Sequence, residues 1–313
     1  APVNFHAYAA CTGGALVTDV DAAAARGNPV LLLVRKRVKR ALAALKQLRD
    51  AGLTVAVSLK ETGTHQFAAG MADAARLRAL GELVRLADGC IAPTPWIAAV
   101  YRALRGPEQA AHTAVIPTPY PVTTAAWDFS VPAAARRGIF IGTREFTTPS
   151  RNHLTALLLL KPLVLEAGVP VTVVNGDGRV GERLLRATGI PSDLMHVEQP
   201  QPYPGYMKLL AGCRVVFQQD QSAVPVQVAG DCCLARVPCV GGNGAVDGWV
   251  FPEFTGTALP PAEQPAAVKR LLQDDAFYDQ AAAAADRRAR ETLAYPVVAE
   301  RLTQFYADIA TGG

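Results

Sequence analysis

Short, continuously apolar runs recur between longer helical patterns, and that alternation limits what this chain can fold into more than any other feature. VLLLV (30–34) has no polar position, as a strand covered on both faces requires. A helical pattern follows from Arg37 to Asp50 and stops at Gly52, and LTVAVSL (53–59) is the next strand. A helical period from Ala68 to Leu86, the strand end DGCIAPT (88–94), a helix from Pro95 to Leu104 and the strand TAVIP (113–117) complete a first series. VNFHAY (3–8) is expected as a strand ahead of it.

Residues 117–137 break the rhythm with four prolines, which stiffen the chain and leave no regular element. The pattern then restarts. GIFIGT (138–143) is a strand and Asn152 to Ala167 a helix ending at Gly168. VPVTVVNGDG (169–178) is a strand with a glycine turn, followed by the helix GERLLRAT (181–188). A helix from Tyr203 to Ala211, the strand CRVVFQQ (213–219), the helix QVAGDCCLA and the strand VPCVGG come next. From 262 to 311 the pattern is helical, with Pro296 at a boundary. Two doubly wound, Rossmann-like α/β domains with an interdomain cleft are expected. The expected divisions are an N-terminal domain over 1–120, a linker over 121–137, a C-terminal domain over 138–295, and a last helix over 296–313 that packs back on the N-terminal domain.

A chain of 313 residues suits two such domains, and half of its residues are apolar, enough for two cores. The net charge of +4 fits a phosphate-bearing ligand and does not indicate nucleic acid. No apolar run approaches the ~20 residues that span a bilayer. No charged-then-apolar signal segment opens the sequence, so the cytoplasm is the expected compartment. The six cysteines lack the spacing of a small secreted domain and are expected as reduced thiols.

Three stretches carry candidate chemistry. In GTREFTTPSRNH (142–153) a strand ends at Gly142, Arg144 follows, and Arg151 and Asn152 stand at the mouth of the next helix. Helix N-termini bind anions, and two arginines there could clamp a diphosphate; otherwise they are solvated surface cations. In NGDG, Gly176 and Gly178 let the backbone turn sharply and approach a ligand, or simply make a turn. In QVAGDCCLARVPCVGGNGAVDG (227–248), Asp231 near a helix start suits ribose hydroxyls, with helix capping as the alternative. Zinc is a third reading. Adjacent cysteines ligate one ion poorly, and no second Cys-x-x-Cys or later histidine follows, so the thiols are better explained as small core residues.

Taken in order, GTRE…SRN, VVNGDG and GDCCLARVPCVGG resemble glycosyltransferases of the GT-B fold, most of all the retaining "glycosyl transferases group 1" family. The resemblance implies that Gly142, Arg144, Arg151 and Asn152 bind a donor diphosphate, that Gly176 and Gly178 line the donor, and that Asp231 contacts its ribose. It implies transfer of a sugar from a nucleotide-sugar donor to a glycan or lipid-linked acceptor, with front-face attack and retention. No metal or other cofactor is expected, because Arg144 and Arg151 would stabilise the leaving diphosphate. Arg151→Ala is expected to cut turnover with little loss of fold. The chain departs from the family at Ala223, where the first of two glutamates would stand and for which Asp220 or Ser222 could substitute, and at Arg236, where a glycine is usual. A sugar-nucleotide 2-epimerase of the same fold, or a non-catalytic binding subunit, are the alternatives.

In the first half, KETGTH (60–65) occupies a loop where the family carries a His-acid pair, which makes Glu61 and His65 catalytic candidates. Gly13 and Gly14 resemble the family's glycine loop near the phosphates. RKRVKRALAALKQLR (35–49) has seven basic residues and no acid, with Val38, Leu42, Leu45 and Leu48 on one face. It reads as an amphipathic helix on the sheet, or as a peripheral contact with anionic lipid at the inner membrane face.

Overall fold

The computed structural model describes residues 3–142, 146–225 and 228–311. The chain groups into two compact units, Ala1–Pro121 with Leu293–Gly313, and Val122–Thr292.

The first unit holds a parallel sheet in sequence order: β1 (Val30–Val34), β2 (Val55–Leu59), β3 (Gly89–Ala92) and β4 (Thr113–Val115). The period-2 alternation of a strand divides its apolar residues between two cores. Val30, Leu32, Val34, Val55, Val57, Leu59, Cys90 and Ala92 face the helices Val38–Asp50, Ala74–Leu86 and Pro95–Arg105. Leu31, Leu33, Ala56 and Ile91 face the other way, toward Tyr8 and the helix Tyr295–Thr311. That helix presents Val298, Leu302, Phe305 and Ile309, one stripe at helical spacing. Burying each of these side chains contributes about 1.5–3 kcal/mol relative to leaving it exposed.

Residues 3–8 do not form the expected strand. A turn over Asn4–His6 leads into a helix, Ala7–Thr12. Tyr8 and Cys11, three residues apart, both reach the second core, and the Tyr8 hydroxyl donates to the Ile116 carbonyl at 3.3 Å. The helical spacing that this packing needs overrides the alternating pattern of VNFHAY. The pattern from Ala68 to Leu86 also divides. The helix Thr64–Met71 ends, and Asp73 caps a new one by accepting from the Ala75 N–H at 2.8 Å. No described helix is long and apolar enough to cross a membrane.

The second unit holds a five-stranded parallel sheet in the order β7-β6-β5-β8-β9, made of β5 (Ile139–Ile141), β6 (Val171–Val174), β7 (Met195–Glu198), β8 (Val215–Phe217) and β9 (Cys239–Val240). β7 has no counterpart among the sequence-based expectations. It is an edge strand whose His196 and Val197 are exposed, so it lacks a continuous apolar run. Residues 122–137 fold onto this unit. The Phe129 N–H donates to the Leu234 carbonyl at 3.0 Å. The buried Arg136 guanidinium donates to the carbonyls of Val131, Ala235 and Arg236 and to the Tyr278 hydroxyl.

Candidate functional site

The second sheet changes direction at β5. The chain steps outward through β6 and β7, then returns to the other side of β5 for β8 and β9. The carboxyl ends of β5 and β8 therefore flank the switch point, where open parallel sheets bind ligands.

Gly142 closes β5 with a left-handed φ of +47°, and any side chain there would run into the imidazole of His153. This close approach brings the strand end against the helix His153–Ala167. Just before that helix, a turn over Pro149–Arg151 presents the buried Arg151. Its Nη1 pairs with Oδ2 of Asp220, which lies beyond β8 and is buried as well. Oδ1 of Asp220 accepts from the Ser222 N–H at 2.6 Å and also from the Ser222 hydroxyl. Asn152, at φ +53°, donates through Nδ2 to the Gln219 carbonyl at 3.0 Å. Arg151 and Asn152 are thus both joined to the polar run Gln218–Asp220.

A buried ion pair tolerates loss of one partner poorly, because the other charge stays desolvated. The expectation that Arg151→Ala would spare the fold is corrected accordingly. Arg144 lies outside the described residues.

At the end of β6, Asn175 Oδ1 accepts from the Asp177 N–H at 3.0 Å, and its Nδ2 donates to the Gly178 carbonyl at 2.9 Å. The exposed Gly176 and Gly178 belong to this turn, which opens the helix Gly178–Ala187. Asp177 Oδ2 accepts from the N–H groups of Phe146 at 2.6 Å and Thr147 at 2.9 Å. It ties the segment after β5 to the turn after β6, a role that sequence reasoning missed.

Asp231 stands in the first turn of the helix Val228–Ala235, 9% exposed, and accepts from the Tyr203 hydroxyl at 2.7 Å. Burial, and then the Asp231 charge, push the Tyr203 and Tyr206 hydroxyls well above their ordinary pKa, which keeps both as donors. Tyr203 also packs against Trp127, Phe129 and Tyr206. Cys232 and Cys233 are buried in this helix, and Cys239 in β9. Burial holds the Cys232 and Cys233 thiols well above the ordinary range, so they remain protonated. Among the described residues, no group of three or more His, Cys, Asp or Glu side chains could hold a metal ion.

Two departures from the family pattern acquire a local setting. Ala223 and Arg236 both have left-handed backbone, at φ +50° and +52°. Glycine adopts that region without strain. Arg236 instead makes ion pairs with Asp128 at 2.8 Å and Asp286 at 3.7 Å.

Asp247 was not anticipated either. It caps the helix Ala245–Val250, accepting from the Gly244 N–H at 3.0 Å and from Gln218 Nε2 at 3.0 Å. Burial pushes its carboxyl up to about 7, opposed by the Gly244 hydrogen bond and helped by the charge of Asp220. An unfolded Asp titrates near about 3.9. Between roughly pH 4 and 7 the folded state therefore binds more protons than the unfolded state, so stability falls as pH rises through that window and is level above it. In urea unfolding at pH 5 and pH 8, Asp247→Asn is expected to flatten this dependence. A variant with the wild-type slope would assign the slope to another group.

In the first unit, Glu61 Oε1 accepts from Arg35 Nε at 2.8 Å, and His65 lies in the first turn of the helix Thr64–Met71. Glu61 and His65 line one cavity. The neighbouring Lys60 is buried, which pushes its amine down to about 8, and its Nζ donates to Thr118 Oγ1 at 3.3 Å. Gly13 and Gly14 are exposed and follow the helix Ala7–Thr12 rather than a strand, so the expected strand-to-glycine loop is not formed. The chain's one Asp-x-Asp triplet is Asp19–Asp21, in this unit, where Asp19 caps the helix Val20–Arg26 by accepting from the Ala22 N–H at 2.9 Å. In the helix Val38–Asp50, Val38, Leu45 and Leu48 are buried, while Lys46 and Arg49 pair with Glu82 at 2.7 Å and Asp88 at 3.3 Å.

No protein-family model and no curated protein matches the sequence. Solved structures do resemble it. HepE of Anabaena, in complex with UDP, is 16% identical, with a TM-score of 0.67 over 92% of this chain and 80% of that one. Sucrose-phosphate synthase of Thermosynechococcus elongatus is 16% identical, with a TM-score of 0.66 over 90% and 74%. The α,α-trehalose 6-phosphate synthase of Burkholderia multivorans is 13% identical, with a TM-score of 0.65 over 94% and 75%. With its two parallel α/β sheets, the chain has the fold of the GT-B glycosyltransferases.

Proposed function

We propose that this chain transfers a sugar from a nucleotide-sugar donor to a glycan or lipid-linked acceptor, and that its second unit holds the nucleotide. The observation that carries this reading is the switch point of the second sheet. Arg151 and Asn152 stand there at a helix mouth, beside the turn carrying Gly176 and Gly178, with Asp231 on the helix after β8. Fold likeness to HepE, whose structures hold UDP and UDP-glucose, supports a uridine nucleotide as the first donor to try.

In this reading the diphosphate lies across Gly142 and the helix start at His153, where the helix dipole favours an anion. Arg151, with Arg144, stabilises the charge that grows on the leaving diphosphate, the task a metal performs elsewhere. Asp220 holds the Arg151 guanidinium in place beforehand, and Asp177 holds Phe146 and Thr147. Asp231 accepts from ribose hydroxyls. Transfer proceeds with retention, and the donor phosphate helps to take the acceptor proton.

One second reading has an observation behind it. The Arg151 charge is already met by Asp220, and Ala223 stands where the family has a glutamate, which suits a binding subunit that has lost catalysis. A panel of nucleotide sugars in a thermal-shift assay with EDTA, followed by assay of nucleotide release, separates the two. A ligand at 100 times its Kd stabilises the native state by about 2.7 kcal/mol. The expected result is a raised Tm with one nucleotide sugar, and release of its nucleotide. A raised Tm without release favours the binding subunit, and no shift with any nucleotide sugar overturns both readings.

A further inference from the structure

The nucleotide reading gives no role to the start of the basic stretch 35–49. Arg35 and Lys36 leave the carboxyl end of β1 and line a cavity of about 320 Å³. Glu61, just past the end of β2, His65 and Phe67 of the helix Thr64–Met71, and Arg76 of the helix Ala74–Leu86 form other parts of its wall. The cavity therefore lies outside the carboxyl ends of a parallel sheet, where α/β units place their ligands, and its size suits a small molecule.

The wall is built rather than merely basic. Arg76 Nη1 donates to the Gly70 carbonyl at 2.8 Å and its Nη2 to the Lys36 carbonyl at 2.9 Å, which fixes the guanidinium between the end of the helix Thr64–Met71 and the segment after β1. Arg35 is oriented by Glu61 at 2.8 Å. Three cations, Arg35, Lys36 and Arg76, stand against the single carboxylate of Glu61 among the lining residues. Phe67, held edge-on to Trp96 at 5.2 Å, supplies an apolar side. Concentrated cationic donors in a concave site suit a phosphate, and the apolar side suits the carbon skeleton that carries it.

We infer that this cavity binds the acceptor by a phosphate group, through Arg35, Lys36 and Arg76. The inference rests on the sugar-transfer reading for the word acceptor, and on this wall alone for the phosphate. The phosphate belongs either to a free sugar phosphate or to a lipid headgroup.

The test uses the full chain and two probes, glucose 6-phosphate in calorimetric titration and vesicles with or without phosphatidic acid in flotation. Glucose and vesicles of phosphatidylcholine alone serve as the neutral controls. The expected result is binding of at least one phosphate probe and of neither control. Glucose 6-phosphate alone assigns a free acceptor, and phosphatidic acid assigns a headgroup. Lys36→Glu should weaken binding by at least about tenfold, the scale of one charge-assisted hydrogen bond. Arg76→Gln should do the same, but Arg76 also ties the helix Thr64–Met71 to the segment after β1, so the exposed Lys36 keeps the test valid if the Arg76 variant does not fold. Binding of neither phosphate probe overturns the inference, as does unchanged affinity in Lys36→Glu or equal affinity for glucose. UDP is titrated into the same preparations. UDP binding without phosphate-probe binding removes the cavity proposal and leaves the sugar-transfer reading. Phosphate-probe binding that Lys36→Glu abolishes, with no UDP binding, keeps the anion site and removes that reading.

Discussion

Arg151→Ala is expected to lower nucleotide-sugar turnover by roughly 10²–10³-fold, the usual cost of removing one group that stabilises charge in a transition state. It is also expected to destabilise the second unit by about 3–5 kcal/mol, because Asp220 would be left buried without its cation. These two effects need separating. Asp220→Asn in the same chain removes the orphaned charge while Ser222 can still bond to the amide. The double variant should regain most of the denaturant midpoint and none of the turnover. Near-normal turnover in the double variant would remove Arg151 from the chemistry and leave the pair a structural element. Loss of turnover in Asp220→Asn alone, with its stability kept, would mark Asp220 as the residue that positions Arg151.

Asp231→Ala is expected to weaken nucleotide-sugar binding by roughly 10- to 150-fold, from about 1.5–3 kcal/mol for hydrogen bonds to a charged group. Tyr203 complicates this, since its hydroxyl already donates to Asp231 at 2.7 Å. Tyr203→Phe keeps the carboxylate and removes that partner, so it measures the structural share. Calorimetric Kd values for UDP should therefore rise steeply in Asp231→Ala and change little in Tyr203→Phe. Equal Kd values in wild type and Asp231→Ala would sink the ribose role and leave Asp231 as a carboxylate that holds two packed helices together.

Much of this architecture is legible without the structure, and the reason is local. The strands VLLLV, TVAVSL, IFI and VTVV lie in parallel sheets, and each reads as a short, largely apolar run. Helix ends are local as well. The left-handed Gly168 ends the helix His153–Ala167, and Thr94 caps Pro95–Arg105 by accepting from the Ile97 N–H at 3.3 Å. Elements whose pattern depends on distant neighbours were harder to read. β7 leaves His196 and Val197 exposed and so lacks an apolar run, and Ala7–Thr12 is helical because its Tyr8 and Cys11 meet a core completed by the helix Tyr295–Thr311.

The candidate site divides along the same line. The sequence by itself determined which residue types stand at the strand ends, because a sharp turn after a buried strand calls for glycine and an anion site calls for arginine at a helix mouth. Gly142, Arg151, Gly176 and Gly178 are candidates on those grounds, Asp231 because a carboxylate suits ribose hydroxyls, and Asn152 through the family resemblance. Only the tertiary structure decided their partners. Asp220, read from the sequence only as a possible substitute for the missing glutamate, gains its partner when the crossover back to β5 sets β8 beside it and brings Arg151 and Asp220, 69 residues apart in sequence, into one buried pair. Asp247 likewise becomes a raised-pKa carboxyl only through burial and the nearness of Asp220. Local propensity acts within a few residues, whereas burial and charge pairing depend on strand order, which no short window of sequence contains.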